Sequence, residues 1–224
     1  MLGSLTRTVV VTGHYGSGKT NLSLNIAIAL KRQGRRVTLA DLDVVNPYFR
    51  GADFRHLAGR EGIGLIAPAY AGSNLDIPAL TGELDARLGG EDTVIIDAGG
   101  DSDGAHALGR YAPKIARRPY DMIFVVNLFR LMTKTPEQAA LYMKEIEAAC
   151  RLKVTAIANN SNVAELTTPE DLALGIQKAR RLSGLTQKPL LFSSVRSDLA
   201  VRPGECDETI FPVEIYVKTP WNLE

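Results

Sequence analysis

The residues best suited to chemistry lie close to the start of the chain. Gly13-His14-Tyr15-Gly16-Ser17-Gly18-Lys19-Thr20 follows the pattern GxxxxGK[ST], with the apolar run Thr8 to Thr12 before it and a helical stretch from Asn21 after it. Glycines at this spacing let successive backbone amides turn inward around phosphate oxygens, and a helix that starts immediately afterwards adds its positive end. Lys19 is then placed to neutralise the outer phosphates, and the Thr20 hydroxyl to ligate a magnesium ion. The expected ligand is a nucleoside triphosphate, Mg-ATP, held by residues 13 to 21, with His14, Tyr15, Ser17 and Asn21 as loop and first-turn contacts.

Acidic residues recur where apolar runs end. Asp41-Leu42-Asp43 closes the run Arg36 to Ala40, and Asp97-Ala98-Gly99-Gly100-Asp101 closes the run Thr93 to Ile96. In an open α/β sheet, ligands collect at the carboxyl ends of the strands, which would bring these acids to the loop's phosphates. Asp97 is expected to hold Mg2+ directly or through water, with Thr20 and Asp43 as further metal-side groups. Gly100 could give its amide to the terminal phosphate, and either Asp43 or Asp101 could orient or deprotonate the attacking water. The competing reading of strand-end aspartates is helix capping. It applies most to Asp41 and Asp101.

These groups need a scaffold, and the pattern of the chain supplies one. Further apolar, β-branched runs occur at Met122 to Val126, Val154 to Ala158 and Leu190 to Phe192. Continuous hydrophobic runs of this kind suit a parallel sheet covered on both faces. Helical stretches fall between them. Asn21 to Arg32 is apolar on several faces and should stop at Gly34. Thr135-Pro136-Glu137-Gln138 places a capping hydroxyl, a first-turn proline and an N3 glutamine before Ala139 to Cys150. Thr168-Pro169-Glu170-Asp171 nearly repeats the device before a helix over Leu172 to Leu182 that should end at Gly184. The fold class is α/β, a three-layer domain with a mostly parallel sheet over residues 1 to 224. Gly51 to Leu88, rich in glycine, proline and alanine, gives the weakest pattern. A strand and a meandering tail are expected beyond Val201.

Composition narrows the function classes. With 26 basic and 25 acidic side chains the net charge is +1, so no bulk field draws the chain to nucleic acid or to an anionic membrane. No apolar run approaches the roughly 18 residues of a membrane helix, and no leader pattern precedes Val9, which reads as a cytoplasmic protein. The two cysteines, Cys150 and Cys206, form no metal-binding or disulfide pattern. Cys150 falls at helical spacing with Met143 and Ile146 and reads as core. His56 and His106 lack partners at metal-ligand spacing. Asn127 to Arg130, directly after a strand, lies on the ligand side without an assigned chemistry.

With the loop, Asp43 and the Asp97 to Asp101 segment in view, the chain resembles the MinD/ParA and nitrogenase-iron-protein group of P-loop ATPases, which includes maturation factors of the CooC type. The resemblance implies a nucleotide-dependent homodimer and ATP hydrolysis that switches contact with a protein partner. It makes Asp41-Leu42-Asp43 similar to a first switch, with Asp43 associated with hydrolysis, and Asp97 to Asp101 similar to a second. It also places an adenine-reading asparagine at Asn159 or Asn160, and no Asn-Lys-x-Asp stretch of the guanine-reading kind follows. Two departures stand out. The second loop position is His14 where MinD and ParA carry a lysine that reaches the partner's phosphates; His14 itself or Arg50 could supply a cation. The paired cluster-bridging cysteines are absent.

The leading expectation is therefore an ATPase switch acting on a protein partner, with metalloenzyme maturation or activation as its biological setting. A synthetase resembling dethiobiotin synthetase and the cobyrinate amidation enzymes would instead need a pocket for an acidic metabolite. A ParA-like DNA segregation ATPase would need more than the short basic clusters Lys31-Arg32, Arg117-Arg118 and Arg180-Arg181.

Overall fold

A computed structural model describes residues 2–42, 52–67, 77–100, 102–199 and 209–217. Strands β1 (Thr8–Thr12), β2 (Val37–Asp41), β3 (Gly64–Ile66), β4 (Thr93–Asp97), β5 (Asp121–Val126), β6 (Ala156–Asn159), β7 (Leu190–Arg196) and β8 (Ile210–Val213) form one sheet in the order β3-β2-β4-β1-β5-β6-β7-β8. All the pairings are parallel. The expectation of a mostly parallel sheet holds, and the strands that the apolar runs indicate are all present.

The helices are α1 (Lys19–Arg32), α2 (Ala52–Glu61), α3 (Ile77–Gly89), α4 (Ser102–Gly109), α5 (Ala112–Ile115), α6 (Pro136–Cys150) and α7 (Pro169–Thr186). They make the outer layers. Because side chains alternate along a strand, Val9 and Val11 join Leu22, Ile26, Ala58 and Ile123 in one apolar core, while Val10 joins Leu108, Phe124, Met143 and Leu182 in the other. Ile95 and Ile123 are fully buried in the first core, and Ile96 and Phe124 in the second.

Local chemistry sets the helix ends. In α6 and α7 the Thr135 and Thr168 side chains accept from the amides of Gln138 and Asp171, whose own side chains reach back to the cap amides, so both capping boxes are complete. Helix α1 ends beside Gly34 as expected. Helix α7 does not stop at Gly184. It continues to Thr186 and closes on Gln187 at φ 53°, because Gly184 faces open space and hydroxyls finish the last turn: Thr186 Oγ1 donates to Leu182 O and Ser183 Oγ to Lys188 O. Among the described residues, no helix is long and apolar enough to cross a membrane.

The strand order creates the site. From β1 the chain fills one side of the sheet through β2, β3 and β4, then crosses to β5 on the other side, so β1 lies where the winding reverses. Crevices open at the carboxyl ends of strands at such a switch point. The ends of β4, β1, β5 and β6 stand there side by side.

Candidate nucleotide-binding site

The loop between β1 and α1 is held by its carbonyls. His14 O accepts from Ser17 N at 3.1 Å and from Lys19 Nζ at 3.3 Å. Tyr15 O lies 2.7 Å from His14 Nδ1, Gly16 O accepts from Arg130 Nε at 3.1 Å, and Ser17 O accepts from Asn160 Nδ2 at 2.7 Å. A planar peptide points its N–H opposite to its C=O, so tying the Tyr15 and Ser17 carbonyls outward turns the amides of Gly16 and Gly18 inward. The amides of Tyr15, Gly16 and Gly18 have no acceptor among the described residues. Such a concave row of donors at a helix N-terminus fits an anion. Gly18 permits this shape at φ 86°, where an added Cβ would lie 2.3 Å from Asn160 Nδ2.

The interior of the cradle is also polar. Lys19 is 5% exposed, folded back on the loop, and the Ser17 hydroxyl is buried without a hydrogen-bond partner among the described residues. A buried hydroxyl left unpaired costs about 1–3 kcal/mol. Phosphate oxygens would satisfy it.

On the β4 side, Asp97 is buried and accepts at Oδ1 from Ser23 Oγ at 3.2 Å. It is the register partner of Asp41 across β2 and β4, so two carboxylates end adjacent strands beside the loop. Asp97 and the half-buried Thr20 provide a carboxylate and a hydroxyl, the oxygen donors that a hard cation such as Mg2+ takes. Gly100 packs directly on the loop: an added Cβ would fall 2.0 Å from Gly13 O and 2.8 Å from Lys19 Nζ. From α6, Tyr142 donates its hydroxyl to Gly100 O and sets its ring edge-on to His14, centroids 4.8 Å apart.

The two asparagines after β6 differ. Asn159 is buried with its amide engaged, donating to Ser193 Oγ at 3.0 Å and accepting from Ser161 N and Oγ at 3.1 and 2.6 Å. Asn160 faces the loop and also accepts from Ser194 Oγ. Asn21 uses its side chain on the segment after β8, donating to Glu214 O at 2.9 Å and accepting from Tyr216 N at 2.8 Å. The structure thus brings together Gly13 to Thr20, Asp97, Gly100 and Asn160. Asp43, Arg50, Asp101 and Cys206 lie outside the described residues. Burial raises the thiol of Cys150 above its ordinary value, in keeping with its place in the core.

Arg130 and Tyr142 are contacts that sequence reasoning did not assign. The position of Arg130 just past an apolar run on the ligand side was a usable signal. Tyr142 had none, because its place depends on how α6 packs.

Fold and site define a P-loop nucleotide-binding domain. Residues 8–172 match the CobQ/CobB/MinD/ParA nucleotide binding domain family, and the chain belongs to it. No curated protein sequence matches significantly. Similar solved structures include the signal recognition particle receptor FtsY of Elizabethkingia anophelis, at 25% identity and TM-score 0.54 over 83% of this chain and 57% of that one. FtsY of Thermotoga maritima aligns at 23% identity and TM-score 0.57, over 84% and 61%. The chain therefore spans less than two thirds of these FtsY chains. A nucleotide-binding protein from Archaeoglobus fulgidus in complex with ADP aligns at 19% identity and TM-score 0.54, over 83% and 80%. The E. anophelis FtsY has also been solved with GDP.

Proposed function

We propose that this chain is a Mg2+-dependent ATP hydrolase that works as a switch on a protein partner, closing as a homodimer when ATP is bound. The observation that carries the nucleotide half of this reading is the cradle itself, with outward-tied carbonyls, inward amides, the buried Lys19 and the unpaired Ser17 hydroxyl. In it, Lys19 would move from its own loop carbonyl onto the outer phosphates. Thr20 and Asp97 would hold the cation, which supplies charge neutralisation on the phosphates. Gly100, lying against Gly13 and Lys19, would present its amide to the terminal phosphate, and Asp43 or Asp101 would orient the attacking water. Binding energy from that phosphate would order the segments carrying these acids, and hydrolysis would release them.

Adenine is favoured over guanine because Val163 stands three residues after Asn160, where an Asn-Lys-x-Asp reader would carry its carboxylate. The partner half of the reading is supported by apolar side chains left exposed after β5 and β6, Leu131 at 80% and Leu166 at 79%. Metalloenzyme maturation or activation is the setting proposed for that partner.

Equilibrium titration of labelled ATP and GTP with the wild type and with Lys19→Ala tests the core of this. ATP should bind more tightly than GTP, and the variant should lose binding at least a hundredfold, as expected for removing the charge-assisted contact of a phosphate lysine. Equal affinities of variant and wild type would remove the loop assignment; a preference for GTP would replace the base assignment alone.

A further inference from the structure

On the β4 side, Gly100 packs against the loop. There is no room for even a methyl group between Gly100 and the loop, since a Cβ on Gly100 would lie 2.0 Å from Gly13 O and 2.9 Å from the His14 carbonyl carbon. Tyr142 braces the same point from outside through Gly100 O and the His14 ring. Among the described residues, the ends of β5 and β6 border the loop on the side away from this contact, and a nucleoside joined to phosphates in the cradle has its way out there.

Two side chains stand on that exit. Arg130 and Asn160 donate to the consecutive carbonyls Gly16 O and Ser17 O. Both carbonyls point out of the cradle, so both side chains lie on its outer wall, with the loop backbone between them and the phosphates. Arg130 is exposed, and its two terminal nitrogens have no partner among the described residues. Its Nε bond to Gly16 O fixes one edge of the guanidinium and leaves the planar face open.

We infer that Arg130 is a wall of the nucleoside pocket, its guanidinium plane stacked on the base while Asn160 borders the base from the β6 side. This rests on the nucleotide-binding reading above and adds to it the residue that holds the base. Arginine suits the task because it is planar and weakly hydrated, and its charge is attracted to an aromatic face. Stacking is indifferent to which base is stacked, so Arg130 contributes affinity and leaves selectivity to groups on the base edge.

The test separates base from phosphate by using inorganic tripolyphosphate beside the nucleotides. Arg130→Ala should weaken ATP and GTP alike, by about tenfold, while the affinity for tripolyphosphate, read by competition against labelled ATP in both proteins, is unchanged. Arg130→Lys keeps the charge without the plane and should weaken ATP nearly as much. Unchanged ATP binding in Arg130→Ala would overturn the inference, and so would an equal loss for tripolyphosphate, which would move Arg130 to the phosphates. Failure of the wild type to bind either probe would overturn the nucleotide reading itself, a distinct result. Circular dichroism of both variants checks that they fold.

Discussion

Gly100 has no side chain because the loop occupies the place where one would go. The conflict is with backbone at Gly13 O, which has no freedom to swing aside. Gly100→Ala must therefore push the β4 end off the loop, and overpacking of this kind costs about 1–3 kcal/mol. The variant should unfold at lower urea than wild type, and its ATP affinity should fall at least tenfold, since Lys19 lies on the same contact; titration and chemical denaturation read the two effects separately. Tyr142→Phe is the milder companion. It keeps the ring against His14 but removes the hydroxyl that donates to Gly100 O, so a loss of about 1 kcal/mol is expected by urea denaturation. At this scale the sequence was legible where the site is contiguous. Gly13 to Thr20 declares itself by spacing, whereas Arg130 reaches Gly16 across 114 positions and Tyr142 reaches Gly100 across 42. No local pattern encodes such a meeting. The choice between Asn159 and Asn160 was unreadable for a related reason. Both follow the same strand, and only the pairing of β6 with β7 shows that Ser193 takes the first amide, leaving the second for the loop.

Elements were readable in proportion to their apolar length. Strands of four to seven residues buried on both faces produce an unbroken hydrophobic run, and complete capping boxes fix where α6 and α7 begin. The three-residue β3 is too short to show a period, whereas the strand expected beyond Val201 is β8, an edge strand that tolerates Pro212. The segment after β8 is held by side chains that no propensity marks. Asn25 donates to Glu214 O and accepts from Glu214 N, both at 2.9 Å, copying the two bonds of a strand neighbour, and Asn21 takes Tyr216 N. Asn25 is buried and also donates to Asn21 O at 2.8 Å, so its removal leaves Glu214 N without its acceptor and Glu214 O with the Asn21 amide alone. Asn25→Ala should cost about 2–3 kcal/mol in urea unfolding, and amide hydrogen exchange should speed up first at Glu214 to Val217. An unchanged exchange pattern there would mean that Asn25 does not fasten the segment. Helix α6 makes a second, independent test. Its Cys150 is fully buried and its thiol is pushed up by burial, so less thiolate is present at any pH below that raised value. Peptide mapping after alkylation at pH 8 should find Cys150 unmodified in the folded chain and modified in urea.

For the whole molecule, all the proposed chemistry gathers at one end of the sheet, and the same end carries exposed apolar side chains: Tyr15 on the loop, Leu131 and Met132 after β5, and Leu166 after β6. A net charge of +1 offers little long-range repulsion between two copies that bring these ends together. If the triphosphate orders segments around the loop, the face completed in the ATP state differs from that in the ADP state, and an interface formed there would be read by the terminal phosphate. The expected outcome is a doubling of solution mass by light scattering with Mg2+ and a non-hydrolysable ATP analogue, and a monomer with ADP. Leu131→Asp would place a charge in the joint and should hold the chain monomeric even with the analogue at saturation. To shift the population from mostly monomer to mostly dimer at a fixed protein concentration, the triphosphate must favour the dimer by several kcal/mol over the diphosphate, a difference that only contacts to the terminal phosphate can provide. A monomer in both states, with the analogue demonstrably bound, would rule out the dimeric switch. It would turn attention to a small acidic metabolite as the second substrate at this end of the sheet, because the cradle, Lys19 and Asp97 serve that chemistry without needing a second copy.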